Sequence, residues 1–191
     1  MFHRLTHFEL SEFMETCTDT LKRWTGKTRA RVVFDSMVDE FTHDGLFMTI
    51  LGKPNIAVVG FTTDGDVFGG FYNVAVTEQH KLFYDPTIFA FSFESHGRCM
   101  TPQRFVAKEE RNEWACVTFR KTCRFGFVSL FADRHSGGGF WLGNERSKSF
   151  CRYLSKGFDG LENTTLTGKT MARPEESQFH HCARLVAIQL A

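Results

Sequence analysis

Net charge, tyrosine, tryptophan and proline are all scarce in this chain. Its 23 Lys and Arg stand against 22 Asp and Glu, leaving a formal charge of +1. A protein that grips the phosphate backbone needs a basic stripe, so a nucleic-acid partner is not expected. No apolar run reaches the roughly 20 residues of a membrane-spanning helix, so no membrane span is expected. The opening MFHRLTHFELSEF carries acids and no continuous apolar core, unlike a secretory signal. The six cysteines are irregularly spaced and contain no CxxC pair. Such cysteines read as reduced thiols of a cytoplasmic protein rather than a disulfide framework. Metal-ligand spacing is also missing, so neither a metal nor another cofactor is expected.

Phenylalanine is what the chain has in excess, with 22 Phe against 3 Tyr and 3 Trp. Phe adds large apolar area without a polar atom to satisfy, and it suits the pleated surface of strands. The chain length fits a single domain with a short extension.

The first segment has helical periodicity. Leu10, Phe13, Met14, Cys17, Leu21 and Trp24 fall on one face. Thr6 and Glu9 have capping-box spacing, and Gly26 is a stop signal. Residues 1–28 are therefore expected to form an amphipathic helix. It packs on its own domain, or it serves in self-association as part of a longer coiled coil. A strand is expected at Arg31–Phe34. A short helix follows, with Asp44 as N-cap, Leu46, Phe47, Ile50 and Leu51 as its stripe, and Gly52 with Pro54 as its end.

From Asn55 the period becomes that of strands. Asn55–Thr62 is nearly all apolar and reads as a central strand. Asp64-Gly65 is a hairpin turn signal, and Val67–Val76 is the return strand. Gly69-Gly70 inside that strand marks close approach of another backbone, a structural role. Thr87–Phe93 alternates as a half-buried strand does. Further strands are expected at Arg104–Ala107, Ala115–Phe119, Gly126–Phe131, Phe140–Leu142 and Ala183–Leu190. Ser147–Lys169 reads as an irregular loop with a short helical piece. This pattern predicts an α+β, mainly β fold: a two-layer antiparallel β-sandwich over residues 29–191 with a few peripheral helices.

Several strings invite a chemical reading. Gly26-Lys27-Thr28 and Gly168-Lys169-Thr170 resemble the end of a phosphate loop, but the required upstream glycine is replaced by Leu21 and Asn163. His180-His181-Cys182 offers metal ligands, yet neighbours on a strand face opposite ways, so only His180 and Cys182 could share a site. Cys99 lies beside His96 and Arg98, groups that could lower a thiol pKa. No catalytic set is expected; the alternative is an enzyme, a thiol hydrolase or a peroxide-reducing protein, for which Cys99 with His96 is the best candidate. Glu94 ends a strongly apolar strand and sits at a sheet end. Exposed loops on a rigid frame are where contacts concentrate. The expected binding surface is therefore Asp64, Gly65 and Asp66, with Glu94, His96 and Arg98, and the Gly137, Gly138, Gly139 turn.

The run DGDVFGGF (64–71), followed by FAFSFES (89–95), resembles the TLDc domain family (the TBC and LysM-associated domain). His43-Asp44-Gly45-Leu46-Phe47 upstream matches its acidic–Gly segment. SGGGFWLG (136–143) and ARLVAIQL (183–190) match its later Gly-rich turn and final strand. The resemblance spans about residues 29–190. It departs at Val186-Ala187, where that family commonly carries a Glu, and in the loop from Ser147 to Gln178. The resemblance implies a two-sheet sandwich with no established catalytic mechanism. It also implies a role in protection against oxidative stress through protein contacts, with vacuolar proton-pumping ATPase subunits as the candidate partner.

Overall fold

The structure, a computed structural model, describes residues 7–95, 101–109, 115–119, 128–130, 139–142, 149–152, 154–167 and 179–191. Helix α1 (His7–Thr25) is followed by β1 (Ala30–Asp35), α2 (His43–Ile50), β2 (Ile56–Thr62), β3 (Val67–Tyr72), β4 (Phe83–Tyr84), β5 (Phe89–Glu94) and β6 (Gln103–Val106). Then come β7 (Cys116–Phe119), β8 (Val128–Leu130), β9 (Gly139–Leu142), β10 (Ser149–Arg152), two 3-10 turns, β11 (Phe179–His180) and β12 (Cys182–Leu190). The strands form two antiparallel sheets. One has the order β1-β12-β2-β3-β5-β6 and the other β11-β10-β9-β8-β7-β4. The mainly β, α+β architecture expected from the sequence is the one observed.

Two cores follow from strand alternation. One face of the first sheet, with Phe34, Val58, Phe68 and Tyr72, meets Val117 and Phe119 of the second sheet and Leu46, Phe47 and Ile50 of α2. The opposite face, with Val59, Phe71, Phe91 and Ile188, is covered by Cys17 and Leu21 of α1. The sandwich thus carries a third layer, and α1 spends its apolar stripe on its own sheet. Trp24 lies parallel to Phe93 at 5.7 Å between ring centroids, and Phe13 meets Phe61 edge-on. At the helix end Gly26 takes φ +70, the left-handed stop glycine permits. Arg104 of β6 donates to the Trp24 carbonyl at 2.8 Å, satisfying an end-of-helix acceptor.

This third layer corrects the expectation of a half-buried strand at Thr87–Phe93. In β5, Phe89, Phe91 and Phe93 are as buried as Ala90 and Ser92, because α1 covers the side that alternation alone assigns to solvent. Val186 and Ala187, the apolar pair of the last strand, likewise face one core each.

The other differences are local. Thr42, not Asp44, caps α2: its backbone is extended and its hydroxyl accepts from the Gly45 N–H at 3.1 Å. β3 stops at Tyr72 rather than Val76. The next two N–H groups, of Asn73 and Val74, turn to the Asp85 carboxylate instead of a neighbouring strand. The expected irregular loop at Ser147–Lys169 contains β10, paired with β9 and β11. Short β4 and β11 carry little periodic pattern. Gly69 is required by contact: a Cβ there would stand 1.9 Å from the Val58 carbonyl oxygen and 2.8 Å from the Phe91 ring.

Candidate functional site

The β2–β3 hairpin end is built by backbone first. The Thr62 N–H donates to the Asp66 carbonyl at 2.9 Å, and the Gly65 N–H returns to the Thr62 carbonyl at 3.1 Å. Gly65 takes φ 89. Three residues, Thr63, Asp64 and Gly65, therefore make the turn, with glycine in the left-handed position such loops require. The Thr62 hydroxyl accepts from the Asp66 N–H, and the Thr63 N–H donates to the His181 carbonyl. The turn is clamped at both shoulders.

β5 brings its C-terminal end alongside. Glu94 stands opposite Val67, beside a bulge between Val67 and Phe68. One step inward, the Ser92 and Ser95 hydroxyls bond at 2.8 Å, and the Ser95 oxygen accepts from the Thr165 N–H. The structure thus gathers Asp64, Gly65, Asp66 and Glu94 at one end of the sandwich. His96, Arg98, Cys99, Gly137 and Gly138 lie outside the described residues. Gly139 is the first residue of β9, paired with Arg152 next to Cys151, and is a strand position rather than a turn tip.

Asp66 does not belong to an exposed contact surface. It is 1% exposed, because the residue after the turn points inward on the core side of β3. Its charge acts on Cys151 of the opposite sheet. Burial pushes the Cys151 thiol well above its ordinary range, and the Asp66 carboxylate pushes it further. Burial and this charge together hold the sulfur protonated, the opposite of what a nucleophilic cysteine needs. Burial also raises Cys17 and Cys182 to about 12.

Two further carboxylates escaped sequence reading as organisers. Asp85 is buried and accepts from the Val74 N–H, from the Thr87 N–H at 2.9 Å, from the Thr87 hydroxyl at 2.6 Å and from the Asn73 N–H. The Asp85-Pro86-Thr87 string carried the available signal, since Asp before a turn readily accepts from the N–H two residues on. Asp35 accepts from Arg184 through both guanidinium Nε and NH2, at 2.9 and 2.5 Å. Burial alone would raise the Asp35 pKa. The Arg184 hydrogen bond and charge, with the Met37 N–H, outweigh it and hold the carboxyl below its ordinary value.

The decoys resolve by backbone accounting. Gly26-Lys27-Thr28 offers no free nest for phosphate: the Lys27 N–H returns to the Lys22 carbonyl and the Thr28 N–H donates to the Ala191 carbonyl. Gly168-Lys169-Thr170 is outside the described residues. His180 and Cys182 do not share a strand. The chain crosses from the second sheet to the first at His181, ending β11 and starting β12. Among the described residues no group of three His, Cys, Asp or Glu side chains could hold a metal ion. Among them, too, no helix is long and apolar enough to cross a membrane.

No protein-family model matches the chain, and no curated protein is significantly similar to it.

Proposed function

We propose that this chain is a non-enzymatic protein-interaction domain of the TLDc type. It acts in the cytoplasm, in protection against oxidative stress, by binding subunits of the vacuolar proton-pumping ATPase. The observation that carries the reading is the hydrogen-bonded β2–β3 turn with Glu94 beside it, a fixed polar edge at one end of the sandwich. Burial, and after it the Asp66 charge, suppress the thiolate of Cys151 in β10, so this cysteine offers no nucleophile. The clamped Thr63–Gly65 turn and the neighbouring Glu94 provide contacts on a rigid frame, which lowers the ordering cost of binding.

The test is a pull-down of proton-pump subunits by the chain and by an Asp64→Arg/Glu94→Arg variant of unchanged thermal stability. Enrichment that the variant loses supports the reading. Equal recovery by both, or none by either, overturns it. The thiol-enzyme alternative turns on Cys99: at pH 6, alkylation of Cys99 no faster than a free thiol removes it.

A further inference from the structure

A second surface, on the β1 edge of the first sheet, goes beyond that reading. Met37, Val38 and Met48 are 70%, 84% and 67% exposed, and Val32 of β1 is half exposed. Met37 and Val38 occupy the turn after β1, and Met48 lies on the outer side of α2. The turn runs into the start of α2 through residues 40–42. Thr42 caps the helix, and the Glu40 carbonyl presses so close to Gly45 that a Cβ there would stand 2.5 Å from it. Met48 follows Gly45 by about one helical turn.

The turn is held rather than loose. The Val38 and Asp39 N–H groups both donate to the Asp35 carbonyl. The Met37 N–H donates to the Asp35 carboxylate, and the Asp35 N–H to the Asp39 carboxylate. Asp35 itself is fixed by Arg184. Two large apolar side chains are thus presented to solvent on a pre-ordered frame, which is costly for a surface with no partner.

Charge selects the partner. From Val32 to Gly52 there is no Lys or Arg, while Asp39, Glu40 and Asp44 are exposed around the apolar residues. A second copy docking by the same face would set these acids against themselves, and an anionic lipid surface would be repelled. We infer that this edge is a docking face for a basic amphipathic segment of a partner protein, its apolar stripe on Met37, Val38 and Met48 and its Lys or Arg residues against Asp39, Glu40 and Asp44.

Fluorescence anisotropy of the full chain with three labelled peptides tests this: a helical leucine–lysine peptide, its leucine–glutamate counterpart, and a leucine–lysine scramble with no apolar face. The leucine–lysine helix is expected to bind at least about tenfold more tightly than either of the others, the scale of losing a single strong contact residue. High salt should weaken it. Met37→Ser/Val38→Ser, changing only exposed side chains, should lose the binding. Asp39→Asn/Glu40→Lys, which keeps the acceptor for the Asp35 N–H, should weaken the lysine peptide and favour the glutamate one. Equal affinity for the three peptides, no binding, or binding unchanged in both variants would overturn the inference. So would a dimer, seen by sedimentation, that Met37→Ser/Val38→Ser dissolves. Both variants leave Asp64 and Glu94 intact, so this surface and the hairpin-end surface succeed or fail separately.

Discussion

Trp24 and Phe93 lie parallel, 5.7 Å between centroids and 6° between planes, and this stack joins the last turn of α1 to the outer face of the sheet. Phe89 and Phe91 contact the same indole at 6.2 and 6.3 Å. Trp24→Ala removes all three contacts. Because Trp24 is only half-buried, the expected loss is about 2 kcal/mol, below the roughly 3–5 kcal/mol of a fully buried aromatic. Trp24→Phe should recover most of it. Urea unfolding followed by circular dichroism checks both; an alanine variant as stable as the parent would mean that α1 contributes nothing to the outer core.

Gly69→Ala is expected to be far worse than Gly52→Ala. At Gly69 the new methyl meets the Val58 carbonyl at 1.9 Å, a backbone atom that cannot move alone. Overpacking of this kind costs about 3 kcal/mol or more. At Gly52 the space is open and only the positive φ resists, at a cost of about 1 kcal/mol. Thermal melts of the two variants should keep this order.

Asp85→Ala leaves the Asn73, Val74 and Thr87 N–H groups without their acceptor. A fully buried stranded donor costs about 1–3 kcal/mol; Asn73 and Val74 are partly buried and Thr87 is exposed, so the variant should lose about 2–3 kcal/mol in all. Asp85→Asn keeps one oxygen and should fall between. Hydrogen exchange at Asn73 and Val74 reports the site directly: their amides should lose protection first.

Acid should weaken the clasp between β1 and β12. The folded pKa of Asp35 lies below its ordinary 3.8. A depressed carboxyl contributes its full stability above the unfolded value and loses it as pH falls through that value towards the folded one. Stability should therefore drop below about pH 4, and Arg184→Met should flatten that part of the curve. Chemical denaturation at a series of pH values separates the two profiles; equal acid slopes would show that the pair is not coupled.

Alkali should act through the thiols in the opposite sense. Cys17 and Cys182 stay protonated to about 12 when folded, whereas in the unfolded chain they ionise at the ordinary value of 9.0. A raised pKa contributes stability that is full below the unfolded value and lost as pH rises towards the folded one. Iodoacetamide at pH 8 should therefore leave Cys17, Cys151 and Cys182 unmodified until denaturant is added, as peptide mass mapping would show.

Much of the first sheet was legible because its strands have strong local signals. Ile56–Thr62 is an unbroken apolar run, Gly65 marks a turn, and Ile88–Phe93 alternates. What escaped depended on partners distant in sequence. The outer burial of Phe89, Phe91 and Phe93 needs α1, more than sixty residues earlier in the chain. The early end of β3 needs Asp85, and the burial of Asp66 needs a second sheet above it. β10 is a strand only because β9 and β11 flank it, while its own Ser149–Arg152 sequence carries no period. At the candidate site, the turn itself was readable, but its separation into a half-buried Asp64 and a buried Asp66 was not.

The position of β12 in the sheet bears on how the chain is made. It bonds β1 on one side and β2 on the other, yet it follows all the other strands in chain order. On the ribosome, β1 must wait as an unpaired ribbon until more than 140 further residues have been translated. Until Cys182–Leu190 emerges, β1 and β2 remain apart and the Phe-rich hairpin has an open flank. The nascent chain is thus most vulnerable to misassociation just before β12 inserts, and a chain lacking Cys182–Leu190 should be an aggregating product rather than a slightly weakened one.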